Sequence, residues 1–169
     1  MKRFLAYFSL SLLFMWIFQI LFLYIIPTGW PTPQWLLLVT LVLGSQGRTK
    51  LAMTLGFLWG LALDVHGMSA FGVQGWLLAF VGFVSGTLSK NLNEDKFGTQ
   101  LSLAVAATCV VEIGIYILAS FFDQSRVGRP GLGLVLIHIF LNGLAAPAVF
   151  WAVTAWSDFW VPRPSKANA

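Results

Sequence analysis

The sequence predicts an all-α integral membrane protein: a bundle of six transmembrane helices in a single domain, residues 1–169, with both termini on the cytoplasmic side. Three observations predict it. Of the 169 residues, 58% are hydrophobic and only 9% are charged, against about a quarter charged in an ordinary soluble domain. The apolar residues fall in long runs separated by short polar breaks, the pattern that a lipid solvent selects. The basic residues behind the net charge of +4 lie in those breaks, as membrane topology requires. They form no stripe with interleaved aromatics, so no nucleic acid is expected as a partner. No Ser-, Gly- or Pro-rich linker divides the chain. The single cysteine, Cys109, lies inside an apolar run, so no disulfide framework is expected.

The first span, about 4–26, follows Lys2 and Arg3. Its apolar run of 23 residues from Phe4 to Ile26 is too long for a signal-peptide core, and no small-x-small cleavage site follows. It reads as a retained helix. The second, 33–46, offers at most about 16 helical residues, roughly 24 Å at 1.5 Å per residue, short of a hydrocarbon core of about 30 Å. Thr32 suits its cap and Pro33 its first turn. The remaining spans fall at 50–66, 70–89, 99–121 and 131–157. Whether the short second segment crosses is decided by charge. If all six cross with the N-terminus inside, Lys2, Arg3, Arg48, Lys50, Lys90, Lys96, Arg163 and Lys166 are inside and only Arg126 and Arg129 outside. If the second does not cross, the split becomes four to six. The positive-inside rule prefers the first arrangement. It also puts Trp30 and Trp35 at the outer interface and Trp156 and Trp160 at the inner one, as an aromatic belt requires.

The connecting loops are short, and the longest polar one, Ser89 to Gly98, carries two acids and two bases. No extramembrane domain of useful size is left to carry catalysis in water. No P-loop, GxSxG or HExxH occurs, and His66 and His138 have no partner cysteine at metal spacing. The chain reads as a non-enzyme without metal or cofactor.

Polar and small residues inside the apolar runs are the candidates for a site. Gly56, Gly60 and Asp64 are spaced i, i+4, i+8 and share one face of the third helix. Gly72, Gly75, Ala79, Gly82 and Gly86 give the fourth helix a small face of its own. Small residues at such spacing let helices approach closely in lipid, so these positions are expected to serve helix packing or the docking of a partner helix. Asp64, near the outer interface, is placed to accept hydrogen bonds from backbone N–H groups at the start of the fourth helix and brace the turn. Glu112 lies about 14 residues into the outward-running fifth helix, roughly 20 Å deep. His138 lies about seven residues into the inward-running sixth, roughly 10 Å from the outer surface. The depths nearly coincide, so a Glu112–His138 contact is expected, with Asn142 one turn below able to join. Ionisable groups so deep are either interhelical hydrogen bonds or functional contacts. Pro147 is expected to kink the sixth helix near its middle.

The segment "GFLWGLALDVHGMSAFGVQGWLLAFVGFVSG", Gly56 to Gly86, together with the basic residue pair, the long first helix and the short second helix behind P-x-P, resembles the rod shape-determining protein MreD family. The matching positions are Gly56, Gly60, Leu61, Asp64, Gly67, Gly72 and Gly86; length and hydropathy agree over essentially the whole chain. The resemblance implies a non-catalytic scaffold subunit of the bacterial inner membrane. Such a subunit binds MreC and belongs to the cell-elongation machinery with RodA, an elongation-specific class B penicillin-binding protein, RodZ and the MreB filament, supporting peptidoglycan synthesis and cell shape. That family is similar in fold to the substrate-binding subunits of energy-coupling-factor transporters, which supply the alternative function. In that reading Glu112, His138 and Asn142 line a pocket open to the outside. Against it stand a first helix that is bulky throughout, with only Ala6, Ser9 and Ser11 small, and short outer loops. A channel or exporter would need a ring of charge or a repeated polar helix face, and the sequence has neither.

Overall fold

The computed structural model describes residues 2–25, 31–66, 71–89, 96–121 and 132–160. They form six α-helices: α1 (Lys2–Ile25), α2 (Trp35–Ser45), α3 (Thr49–His66), α4 (Val73–Leu88), α5 (Phe97–Phe121) and α6 (Leu132–Trp160). Each expected span is a helix, with no end shifted by more than three residues. Trp30, Lys90, Arg126, Arg129, Arg163 and Lys166, on which part of the belt and charge argument rests, lie outside the described residues, as do Gly67 and the side chains of Lys2, Arg3 and His66.

Polarity in the molecule is inverted relative to a water-soluble fold. Leu13, Phe14, Tyr24, Phe140 and Trp151 face outward, whereas Arg48, Asp64, Glu112 and Asn142 are buried. Among the described residues, α5 from Phe97 to Leu118 and α6 are long and apolar enough to cross a bilayer. α1, at 24 residues, spans about 36 Å.

The second helix departs most from expectation. It has only 11 residues, about 16 Å, and every residue from Leu36 to Gln46 is buried. Its apolar residues form the centre of the core, and all five other helices touch it. It carries no polar face because it has no outward face; a helix apolar all round belongs in an interior. The expected cap is also corrected. The helix starts after Gln34, not Thr32, and no side chain caps it. Pro33 lies outside the helix, its carbonyl accepting from Trp35 N at 3.1 Å. The reason is that Gln34 is drawn outward to α5 and α6, as described below.

At its other end α2 closes in a Schellman motif. Gly47 N donates to Gly44 O at 2.8 Å and Arg48 N to Leu43 O at 3.2 Å, with Gly47 at φ 76°. Glycine takes this left-handed conformation without the penalty of a Cβ. The turn reverses the chain into α3 and delivers Arg48 inward.

α3 and α4 form the closest helix pair. A Cβ on Gly60 would stand 2.4 Å from Gly75 Cα and 2.5 Å from the Gln74 backbone, and one on Gly82 2.8 Å from the Ala52 carbonyl carbon. Backbone meets backbone there, which only glycine permits. Gly56 faces Thr40 and the Leu78 backbone, Gly86 faces Thr49, and Gly75 faces Leu61. These glycines thus lie against other helices of the same chain. α6 runs unbroken through Pro147, with Asn142, Gly143, Ala146, Val149 and Phe150 buried around it. No described break accompanies the expected kink.

Candidate functional site

Among the described residues, the buried polar side chains that bond across helices include three clusters, each set by a helix end or a helix crossing. The first is the turn between α3 and α4. Asp64 is 4% exposed, and its carboxylate accepts from three backbone N–H groups: Gly72 at 3.0 Å, Gln74 at 3.1 Å and Gly75 at 3.2 Å. These are orphan donors of the first turn of α4, where the helix dipole also favours an anion. Gly72 occupies the N-cap at φ 99°, where a Cβ would touch nothing; its requirement is conformational rather than steric. The brace expected from the sequence is the one observed.

The second place is where the start of α2 meets α5 and α6. His138 Nδ1 lies 2.7 Å from Glu112 Oε1. The same oxygen accepts from Gln34 Nε2 at 2.8 Å. Gln34 and Asn142 then pair reciprocally: Gln34 N donates to Asn142 Oδ1 at 2.7 Å, and Asn142 Nδ2 donates to Gln34 Oε1 at 3.3 Å. Asn142 Nδ2 also donates to Thr108 Oγ1 at 2.9 Å, whose own proton goes to Ala104 O. Glu112, His138 and Asn142 are thus brought together as expected, but Asn142 joins through Gln34. The sequence reading missed Gln34 and Thr108. The signal available for Gln34 was an amide directly after Pro33 at the mouth of a fully apolar segment, where no solvated loop residue is required.

The third place, unanticipated, is where the turn after α2 meets the end of α6. Arg48, 7% exposed, reaches Asp158 at 3.3 Å and the Ser157 carbonyl at 3.2 Å. Gln46 Nε2 donates to Thr154 Oγ1 at 2.8 Å, and Ser157 Oγ donates to Gln46 Oε1 at 2.9 Å. Buried Tyr7 of α1 adds its hydroxyl to Arg48. The positive-inside count had treated Arg48 as a topological charge alone. Two nearby polar contacts fasten α1: Trp156 Nε1 to Ser11 Oγ at 3.2 Å and Trp59 Nε1 to the Leu12 carbonyl at 3.3 Å.

In chemical terms these clusters hold helices together. Among the described residues, no group of three or more His, Cys, Asp or Glu side chains is placed to share a metal ion. Glu112 and His138 bring two such side chains together, and they already bond to each other.

A family model described as rod shape-determining protein MreD matches residues 1–128. The match takes in α1 to α5, and with them Gln34, Asp64 and Glu112, and ends before His138 and Asn142 of α6. No curated protein and no solved structure matches the chain.

Proposed function

We propose, from the premise that this chain belongs to the rod shape-determining protein MreD family, that it is a non-catalytic scaffold subunit of the bacterial inner membrane which binds MreC and supports peptidoglycan synthesis by the elongation machinery. Family membership carries the coarser part: a membrane protein with a role in rod-shape determination. The finer part is supported chiefly by how the buried polar atoms are used. Asp64 is committed to three N–H groups of α4, and Glu112, His138, Asn142 and Gln34 to one another. Groups so engaged fix the bundle, and what is left for function is surface.

That surface is apolar and bulky, with Leu13, Phe80, Phe140 and Trp151 among its outward residues. Since Gly56, Gly60, Gly82 and Gly86 face other parts of this chain, partner helices would meet the bulky faces, and the glycines would serve docking only by keeping the bundle in shape. RodA and the class B penicillin-binding protein would be direct or neighbouring partners, with RodZ and MreB further off. In this reading all six helices cross the bilayer and both termini are cytoplasmic. The support is that α2 runs from the Glu112–Asn142 layer to the Arg48–Asp158 layer, so the chain alternates direction through the bundle.

The test is purification of the tagged chain from its native membranes in mild detergent. Recovery of an MreC-like protein with RodA or a penicillin-binding protein is the expected result. Recovery of paired ATPases and a coupling membrane subunit would replace the scaffold with a transporter subunit.

A further inference from the structure

The helices of the bundle do not end level. Gln19 of α1, Gln34 before α2, Gln74 of α4 and Ile115 of α5 line one cavity of about 150 Å³, and Asn142 of α6 bonds to Gln34 at 2.7 Å. These residues therefore mark a common height. α4 starts there, at Val73, while three other helices run on. α1 continues from Gln19 to Ile25 and α5 from Ile115 to Phe121, about 9 Å each, and α6 reaches back from Asn142 to Leu132, about 15 Å. These continuations carry apolar residues that face outward, among them Leu21 and Ile25, Ile117 and Phe121, and Leu132 and Leu136. They call for hydrocarbon around them.

α3 and α4 cannot make up the difference. α4 has 16 residues and α3 has 18, about 24 and 27 Å, against a hydrocarbon core of about 30 Å. At one end the pair is closed by Asp64, whose carboxylate holds the N–H groups of Gly72, Gln74 and Gly75. Toward the other, Gly82 lies against Ala52 and Gly86 against Thr49, so the two helices cannot slide apart to lengthen the face. That face is nonetheless apolar: Phe57, Trp76, Phe80 and Phe83 are exposed on it. A tilt of about 20° shortens the long helices by less than about a tenth and leaves the step in place. A rigid apolar face shorter than the core is accommodated by thinning the lipid beside it. A second copy laid on the face would be equally short and would leave the same step. We propose that the α3–α4 face binds lipid in a locally thinned leaflet, at the Gln34 end, and so selects short acyl chains over long ones. α1, α5 and α6 stand in bilayer of full thickness. The inference rests on the membrane-spanning part of the functional reading and on nothing in it about partners.

The test uses the full chain carrying Cys109→Ala in phosphatidylcholine bilayers that mix short and long chains, about 14 and about 22 carbons. A fluorophore is attached through Phe83→Cys on α4 or through Leu144→Cys on the exposed side of α6, and each lipid in turn is brominated to quench it. The ratio of short-chain to long-chain quenching is expected to be about twofold or more higher for the α4 reporter than for the α6 reporter. Should Phe83→Cys fail to fold, Phe57→Cys on α3 must show the same preference. Equal ratios on the two faces would overturn the proposal. Weak quenching on α4 by both lipids, with strong quenching on α6, would mean that protein covers the face and would overturn it as well. Weak quenching on both helices would remove the membrane-spanning premise, and the inference with it.

Discussion

The two polar layers that grip the ends of α2 do the same task with different chemistry. At one end Gln34 is held by Glu112 and Asn142; at the other Gln46 is held by Thr154 and Ser157. In both an amide flanking α2 bonds to α6. Between them α2 is apolar on every side, and an apolar cylinder has no preferred rotation or depth; the amide at each end supplies both. The layers differ in their access to water. Asn142 is fully buried and Glu112 nearly so, whereas the Asp158 side chain facing Arg48 is 41% exposed. Breaking the first layer strands polar atoms in the bundle. Breaking the second releases a carboxylate that can reach solvent. Position within the bundle therefore sets the energetic weight of a layer more than formal charge does, and the layer without an arginine is the costlier to lose.

Substitutions can break or sharpen this contrast. The largest effect lies outside both layers and sets the scale. Gly60→Leu drives a side chain into the Gly75 and Gln74 backbone, which has no rotamer to yield, and should cost about 3 kcal/mol or more. Little folded protein should be recovered in detergent by size-exclusion chromatography. Asn142→Leu comes next. It strands the Gln34 N–H and the Gln34 side-chain oxygen and removes the donor to Thr108 Oγ1, which keeps its bond to Ala104 O, for a loss of about 2–4 kcal/mol readable as a large drop in thermal midpoint. Arg48→Met should lose only about 1–2 kcal/mol, because the one charge it abandons, Asp158, is close to half exposed and can be solvated, which leaves the Ser157 carbonyl and the Tyr7 hydroxyl as the buried losses. Thermal unfolding of the two variants side by side tests the ordering; an Arg48→Met variant weaker than Asn142→Leu would reverse it. Smallest is Glu112→Gln. The new side chain can still accept from Gln34 and exchange a hydrogen bond with His138, so the expected loss is below about 1 kcal/mol.

The contrast also marks what the sequence could reveal. Glu112 and His138 stand out because a charged or titratable group deep in an apolar run needs a partner, and helix depth alone brings these two level. Asp64 was legible for a related reason: a carboxylate eight residues before a glycine-started helix has orphan N–H groups within reach. Arg48 and Asp158 were not legible as a buried pair. They stand in polar breaks, where a solvated charge is the ordinary outcome, and only the reversal at Gly47 turns Arg48 inward. Gln19, Gln34 and Gln46 were missed because an uncharged amide costs too little to attract notice in either setting. The brevity of α2 was visible in outline, but its central burial was not, since periodicity cannot distinguish a lipid-facing apolar helix from one surrounded by protein.

The central claim is that the buried polar residues hold a scaffold together and perform no chemistry. Its most direct test is to replace the native copy by Glu112→Gln and measure cell width, length and sidewall peptidoglycan incorporation at matched protein level. The account predicts rods of unaltered dimensions and normal incorporation, since the hydrogen-bonding layer persists without the acid. Rounded or widened cells at normal protein level would contradict it and give the Glu112–His138 pair a direct part in the function.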